Sequence, residues 1–301
     1  MPSLDATGRR RLTRRRFLQM AAALVATTGV VAGYGRYGEP NWVHVEEIVL
    51  HVPNLPPRSA GTRLAQISDI HLGAYFTAER LLQAIERVNQ LSVGWLLLTG
   101  DFVSLHSRSS ELRAAAAATL VEPLRHAQIP SFASIGNHDL WGGLEPIEHA
   151  LHEAGITILR NAAAPLEAGL WLAGVDDLWS GRPDLHAALR DVPADGVTLL
   201  MAHEPDYFDT VLAQDAPVAA QVSGHSHGGQ IRYPLPVPGP DGTYSLAFMV
   251  PTYSERYPIG LRQRNNRYVY TNRGLGAWPI PYRINCPPEI TVFTLQPPLP
   301  G

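Results

Sequence analysis

Five polar blocks recur along the chain, and each directly follows a short apolar segment. The apolar segments have the length and composition of strands and comprise residues 64–68, 95–99, 132–135, 197–202 and 218–223. The blocks that follow them are, in order, Asp69-Ile70-His71, Gly100-Asp101, Gly136-Asn137-His138-Asp139, His203 and Gly224-His225-Ser226-His227. Ligands of α/β sheets bind just outside the carboxyl ends of the strands. The pattern therefore predicts that these carboxylates, imidazoles and one amide meet at a single site.

The residue types at these strand ends indicate a two-metal hydrolytic centre. Carboxylates and imidazoles together suit Mn, Fe, Zn and similar divalent ions. Two such ions about 3.5–4 Å apart can hold the attacking and departing oxygens of an in-line displacement at phosphorus. Each block alone has a simpler interpretation, because Gly-Asp is common in turns and a lone His203 would be an ordinary core or loop histidine. The prediction depends on the order of the blocks and their shared placement.

In this order the blocks read D-x-H, G-D, G-N-H-[DE], a lone H and G-H-x-H, and the chain resembles the calcineurin-like metallophosphoesterases over residues 63–295. Residues 224–230, Gly-His-Ser-His-Gly-Gly-Gln, are similar to the bacterial exported or membrane-associated branch of YkuE/YaeI-type phosphodiesterases. The resemblance implies seven metal ligands: Asp69, His71 and His227 for the first ion, Asn137, His203 and His225 for the second, and Asp101 as the bridge.

The resemblance also implies roles for the two residues that follow Asn137. His138 would lie beside the leaving group as a general acid or as a donor to the phosphate. Asp139 would orient His138, as carboxylates behind an imidazole commonly do. One position departs from the family pattern: many relatives read G-D-x-x-D, whereas the last position here is Ser104. That change leaves the support around Asp101 open, and His106 nearby is either a substitute or an ordinary loop residue.

The family resemblance implies a fold and an activity. The fold is an α/β, four-layer αββα sandwich with two packed mixed sheets. The activity is that of a dinuclear metal-dependent phosphoesterase, with Mn as the expected metal and Fe, Zn, Co or Ni as alternatives. A metal-bridging hydroxide would attack a phosphodiester that is lipid-linked or nucleotide-containing. The alternatives are a phosphomonoesterase or pyrophosphatase of the same fold, or a non-catalytic binding protein that retains the fold.

Composition excludes several other classes of protein. All 24 basic residues are Arg, which excludes a P-loop lysine and a Schiff-base lysine. The single Cys286 excludes an intramolecular disulfide. Six of the arginines precede Phe17, where the only acid is Asp5, so the rest has 18 Arg against 26 acids and a charge of about −8. An acidic body without a basic block argues against a stable nucleic-acid partner.

The N-terminal segment carries a second signal. Residues 13–19, Thr-Arg-Arg-Arg-Phe-Leu-Gln, resemble a twin-arginine export signal, and a moderately apolar stretch covers residues 17–33. Such a segment is a targeting address and is excluded from fold reasoning. We therefore predict residues 1–40 as a signal or anchor with a linker, and residues 41–301 as the catalytic domain. The expected partner is the twin-arginine export machinery, and the expected location is the periplasm or the outer face of the cytoplasmic membrane. The alternative is an amphipathic or anchoring helix.

Hydrophobic periodicity predicts the elements that position the site. The predicted helices are residues 77–91 with Thr77 as the N-cap, 111–127 with an interruption near Pro123, and 144–154 ended by Gly155. Further predicted strands are residues 42–52, 156–159, 171–175, 268–271 and 290–295. Residues 233–258, rich in Pro and Tyr, are predicted to be a loop that shapes a substrate pocket. Four aromatic residues have two interpretations: Trp141, Trp179, Tyr253 and Trp278. They line an apolar wall of that pocket, or they pack in the core or on the surface, and packing is the favoured interpretation.

Overall fold

The computed structural model describes residues 13–104, 109–167, 169–239 and 242–298. The sequence-based interpretations of Asp5, Arg9, Arg10, Arg11 and His106 fall outside these ranges. Within the ranges, the strands form two six-stranded sheets and a separate two-stranded hairpin.

The first sheet contains the strands that precede the first three polar blocks. Its strands are β1 (His44–His51), β2 (Arg63–Ile67), β3 (Trp95–Thr99), β4 (Ser131–Ser134), β5 (Thr157–Ile158) and β14 (Glu289–Gln296). Their spatial order is β1-β14-β2-β3-β4-β5. Strands β2 to β5 run parallel, whereas β14 is antiparallel to β2. The carboxyl ends of β2, β3 and β4 therefore share one edge of the sheet.

The second sheet contains the strands that precede His203 and the Gly-His-Ser-His block. Its strands are β6 (Ala162–Glu167), β7 (Leu170–Gly174), β8 (Val197–Met201), β9 (Val218–Ser223), β12 (Gly260–Arg264) and β13 (Arg267–Thr271). The order is β12-β13-β9-β8-β7-β6, with four parallel central strands and antiparallel edges. Strands β10 (Arg232–Gly239) and β11 (Gly242–Ala247) form the hairpin. That hairpin occupies the start of the segment that the sequence predicted as a loop.

Helices cover both sheets, and apolar clusters join the layers. The helices in the described residues are α1 (Arg14–Gly33), α2 (Ala78–Asn89), α3 (Ser110–Ala118), α4 (Val121–Arg125), α5 (Asn137–Gly142), α6 (Leu144–Glu153), α7 (Leu185–Leu189) and α8 (Phe208–Ala213). Leu97 and Phe293 of the first sheet and Leu199 and Val222 of the second belong to one buried cluster. Side chains of α2, α3, α4 and α6 bury the outer face of the first sheet, and those of α7 and α8 that of the second. The predicted four-layer αββα sandwich is confirmed.

Two helix predictions differ from the structure in their details. Thr77 occupies the N-cap position of α2, but its side chain makes no capping bond to the helix. The predicted helix at residues 111–127 is interrupted near Pro123, as expected; the break lies at residues 119–120 and divides it into α3 and α4. Proline is tolerated in the first turn of α4 because the N–H groups there have no partner within a helix. At the end of α6, Gly155 has a φ of 81°, as expected of a glycine that ends a helix.

Helix α1 is exposed along its length, whereas the turns that follow it contact the catalytic domain. The continuous helical segment Arg14–Asn41 is long and apolar enough to cross a membrane by length and composition. Its last part, residues 34–41, is a π turn followed by a 3₁₀ turn. The Gly35 carbonyl accepts from Arg283 N–H at 2.9 Å. The buried Glu39 carboxylate accepts from the N–H groups of Asn285, at 2.9 Å, and Cys286.

Candidate metal centre

The predicted site residues meet at the carboxyl ends of β2, β3, β4, β8 and β9. Their ligand atoms form three groups, each with all atoms within 4.8 Å of one another: Asp69, His71 and His227; His71, Asp101 and His138; and Asp101, His203 and His225. All of these side chains, together with Asn137 and Asp139, are buried. Residues from both sheets therefore contribute to one centre, although they are up to about 160 positions apart in the sequence.

Asp101 lies between the two sets of predicted ligands. Its Oδ2 atom is 3.4 Å from His71 Nε2 and 3.2 Å from His203 Nε2. Burial alone would raise the pKa of Asp101, but the neighbouring His203 and His138 hold it well below its usual range. Asp101 is therefore an ionised carboxylate that belongs to two ligand groups at once, as a bridge between two cations requires.

The unpaired polar atoms of the site fit divalent cations. Among the described residues, Asn137 Oδ1 and His227 Nδ1 are buried and make no hydrogen bond. Buried polar atoms are nearly always paired, so unpaired oxygen and nitrogen acceptors grouped around carboxylates point to bound cations. Burial also lowers the pKa of His225 and His227, which favours the neutral imidazole that binds metal.

The backbone at the site is held in a conformation that L-residues seldom adopt. The φ angles of Asp69, His71, Asp101, His225 and His227 lie between 47° and 68°. Asp and His tolerate this left-handed region better than most residues, but each such position costs on the order of 1–3 kcal/mol. The turns after β2, β3 and β9 thus turn five side chains toward one point at the expense of stability.

The Asp139 carboxylate binds three backbone N–H groups of the site. Its Oδ2 accepts from the N–H groups of Asp101 and Gly136, both at 2.9 Å, and its Oδ1 accepts from Phe102 N–H at 2.8 Å. Three backbone donors therefore fix this carboxylate between the turns after β3 and β4. The His138 N–H in turn donates to Asp101 Oδ1 at 2.9 Å. Asp139 therefore holds the backbone of the site in place, and its expected role in orienting the His138 imidazole stays a prediction.

Ser104, which stands where many relatives have an Asp, contacts the imidazole of His71. Its Oγ lies 3.0 Å from His71 Nδ1, which leaves His71 Nε2 directed toward Asp101. His203 is fixed in the same way, because its Nδ1 donates to the Thr99 carbonyl at 2.7 Å. Both contacts fix the orientation of the imidazole ring, and the Thr99 carbonyl, which can only accept, also fixes the tautomer of His203.

The sequence analysis missed a buried acid pair beside the centre, Asp177 and Glu204. Glu204 accepts from the N–H groups of Leu178, at 2.9 Å, and Trp179, at 3.2 Å. Burial, together with the nearby Glu204, raises the pKa of Asp177 to about 9, so this side chain is protonated at neutral pH. The pair positions the loop that carries Trp179. Because Asp177 closely follows β7, the rule that polar residues follow strands could have found it.

A cavity of about 310 Å³ opens onto the metal ligands. Its wall includes Trp141, Trp179 and Trp278 with Met249 and Pro251. The Trp141 ring lies 4.9 Å from the His138 ring and 5.1 Å from the Trp179 ring. The pocket-wall interpretation, which the sequence did not favour, is therefore correct for three of the four aromatic residues. The fourth, Tyr253, packs behind Trp179 at 6.0 Å.

Comparisons with known proteins agree with this geometry. Residues 62–229 match the calcineurin-like phosphoesterase family. The chain is 33% identical over 298 residues to the uncharacterized metallophosphoesterase YkuE of Bacillus subtilis (strain 168), covering 95% of this chain and 99% of that protein. It is 32% identical over 294 residues to the phosphodiesterase YaeI of Escherichia coli (strain K12), covering 94% and 99%. It is 26% identical over 304 residues to the UDP-2,3-diacylglucosamine pyrophosphatase LpxG of Chlamydia trachomatis serovar D, covering 85% and 90%.

Gly224 provides a test of how closely this site is packed. A Cβ atom there would collide with the Ser68 hydroxyl and the Asp69 carboxylate. We predict that Gly224→Ala displaces Asp69, lowers the metal content and reduces the free energy of unfolding by about 1–3 kcal/mol, the usual cost of overpacking.

The matched control is Gly73→Ala, where the nearest atom outside the adjacent residues, Ser104 Cβ, lies at 3.7 Å in ordinary contact. Metal analysis and chemical denaturation of both variants measure the two effects. Equal metal content and equal stability in the two variants would show that the site is not closely packed at Gly224.

Proposed function

We propose that this chain, which belongs to the calcineurin-like phosphoesterase family and is a metal-dependent phosphoric ester hydrolase, acts on phosphodiesters. The reaction would take place at a centre of two divalent ions. The observation that carries this proposal is the buried Asp101 carboxylate, which contacts His71 on one side and His203 on the other. The first ion would be held by Asp69, His71 and His227 and the second by Asn137, His203 and His225, with Asp101 shared.

His138 is the residue of this chain that we assign to proton transfer. When bound, the two ions would activate the attacking water and neutralise charge on the phosphate oxygens. A water that has lost one proton to solvent would add its oxygen to phosphorus, the bond from phosphorus to the leaving oxygen would break, and His138 would give its proton to that leaving oxygen. Two features support this role: His138 lines the cavity, and its backbone N–H is tied to Asp101.

The cavity supports a diester rather than a monoester. Among the described residues that line it, none is an Arg, and the chain contains no Lys. A phosphomonoester dianion would need cationic side chains in addition to the metals, and the described lining offers it neither Arg nor Lys. A diester carries less charge and has a second organic group, which the tryptophan wall can contact. The name of the relative phosphodiesterase YaeI agrees with this preference.

The apolar wall also supports a substrate with a large apolar or aromatic group, as in lipid-linked or nucleotide-containing diesters. The name of the relative LpxG describes a pyrophosphatase that acts on a nucleotide-linked, acylated sugar. A pyrophosphatase activity is therefore the second candidate. Against it, an enzyme exported by the route proposed below would be separated from a cytoplasmic nucleotide-linked pool.

We further propose that the chain is exported by the twin-arginine route. Support comes from the sequence Thr-Arg-Arg-Arg-Phe-Leu-Gln at residues 13–19 and from the exposed apolar helix α1 that begins within it. The domain would then face the periplasm or the outer surface of the cytoplasmic membrane. Because this route carries folded proteins, metal loading could precede export.

The first prediction from this proposed function tests the substrate class. With Mn²⁺ supplied, we expect kcat/KM to be higher for bis(p-nitrophenyl) phosphate than for p-nitrophenyl phosphate, and we expect a chelator to abolish both activities. The reverse preference would favour the phosphomonoesterase alternative. Purified protein that has neither bound metal nor turnover would favour the binding-protein alternative.

The second prediction concerns His138. We expect His138→Ala to keep its metal content but to lose about 10²–10⁴-fold in kcat, the usual contribution of general acid–base catalysis. The loss should be smaller for nitrophenol esters, whose leaving group needs less protonation, than for alkyl esters. The matched control is His149→Ala on the exposed surface of α6, which should retain full activity. An equal loss for good and poor leaving groups would indicate phosphate binding instead.

The third prediction concerns export. Replacing Arg14 and Arg15 together by Lys should block export and leave folded protein in the cytoplasm. The charge is kept in this variant, but the planar guanidinium geometry that a receptor can read is lost. The control replaces Arg58 and Arg87, which lie within the domain, by Lys. Cell fractionation measures the outcome, and normal export of the Arg14/Arg15 variant would contradict the twin-arginine assignment.

A further inference from the structure

The segment that follows α1 packs on a part of the chain that also forms a wall of the catalytic cavity. Residues 34–41 pack on the segment 281–286, where Arg283, Asn285 and Cys286 donate backbone N–H groups to Gly35 and Glu39. Pro281 lines a small cleft together with Arg36 and Pro40. Trp278 and Pro279, which lie three and two residues before Pro281, line the cavity above the metal ligands. One short segment, residues 278–286, therefore forms both the cavity wall and the platform on which the N-terminal segment rests.

The connection between α1 and this platform is short and helical. Residues 34–41 continue the helix without a break in its described backbone. Eight residues at about 1.5 Å each extend no more than about 12 Å. The apolar part of α1, residues 17–33, is exposed and would span about 25 Å at the same rise per residue. If α1 lies in a bilayer, the platform and the cavity beside it must lie at the surface of that bilayer.

The residues at the two ends of α1 match a membrane boundary. Arg14, Arg15 and Arg16 stand at its start, where positive charge favours the cytoplasmic side. Exposed aromatic side chains follow its end: Tyr34, Tyr37 and Trp42 are 45%, 71% and 61% exposed. Tyr and Trp concentrate at membrane–water boundaries. The domain would then lie against the outer leaflet.

An exposed apolar rim adjoins the lining of the cavity, since Phe248 precedes Met249 and Ile280 follows Pro279 in the chain. It consists of Phe248, Met249 and Ile280, which are 75%, 56% and 41% exposed. Phe248 N–H donates to the Ile231 carbonyl at 2.7 Å. Arg232, which follows Ile231, donates its N–H to the carbonyl of Ile284 in the platform at 3.0 Å. The rim is thus joined by backbone hydrogen bonds to the segment that holds residues 34–41.

We propose that this rim contacts the bilayer in which α1 is inserted, and that the substrate is a lipid phosphodiester taken from the same leaflet. The inference rests on the phosphodiesterase function proposed above and identifies the class of its substrate. The rim side chains would enter the interface, the apolar chains of the lipid would stay in or near the bilayer, and the phosphodiester would reach the ligands past Trp278. An apolar group of the lipid that enters the cavity would contact the tryptophan wall.

The test uses the full chain reconstituted in phosphatidylcholine vesicles with two probes that release the same nitrophenol. Hexadecyl p-nitrophenyl phosphate is incorporated in the vesicles, and methyl p-nitrophenyl phosphate is dissolved in the buffer. We expect Phe248→Asp and Ile280→Asp each to lower turnover of the vesicle probe by about tenfold or more, because Asp strongly disfavours the apolar phase. Turnover of the dissolved probe should stay unchanged, since neither side chain lines the cavity.

The matched control is Val49→Asp. Val49 is 50% exposed and lies near the carboxyl end of β1. Because β1 is parallel to β14 and β14 is antiparallel to β2, this end of β1 lies at the edge of the sheet opposite the metal ligands. Val49→Asp should leave both rates unchanged. The inference is overturned if the rim variants keep the vesicle rate, or if the unaltered protein cleaves only the dissolved probe. Failure to cleave either probe with metal supplied would instead contradict the proposed phosphodiesterase function.

Discussion

The Asp101 carboxylate is the interaction on which the rest of the site depends. It is buried, yet its surroundings keep its pKa well below the usual range. An ionised carboxylate in a protein interior is costly unless charges and hydrogen bonds compensate it. Here, compensation comes from His71, His203 and the His138 N–H, and the unpaired atoms nearby leave room for cations. Metal binding and the stability of this part of the fold are therefore coupled.

Holding Asp101 in place requires a backbone that would otherwise relax. The left-handed φ angles of the ligand residues cost free energy that the surrounding hydrogen bonds must offset. Asp139 provides three of those bonds, and Asp69 accepts from His225 N–H at 3.0 Å across the gap between the two sheets. The backbone conformation of the turns after β2, β3 and β9 therefore depends on hydrogen bonds to buried carboxylates as well as on local sequence. A variant that releases this strain would gain stability at the expense of ligand geometry.

The sequence predicted the strand ends well because the signal there is local. An apolar run followed by Asp, Asn or His identifies a residue at the edge of a parallel sheet, and Asp69, Asp101 and His203 were found in this way. The contacts of Ser104, Asp139 and Glu204 were not predicted, since each depends on which backbone groups the fold brings near. For the tryptophan wall the sequence favoured the wrong alternative, packing in the core or on the surface. A single aromatic residue gives no periodic signal that separates a pocket wall from the core.

Arg283 shows how the metal centre, the cavity wall and the N-terminal platform depend on one another. Its guanidinium is fully buried and donates to the carbonyls of Arg273, Gly274, Gly276 and Cys286. Gly276 N–H in turn donates to the Asp69 carbonyl at 2.8 Å, and Arg283 N–H donates to Gly35. Because an arginine presents five donors in a fixed plane, it can join several loops that a lysine could not. Movement of α1 relative to the domain would therefore act on the same segment that carries Trp278 and supports Asp69.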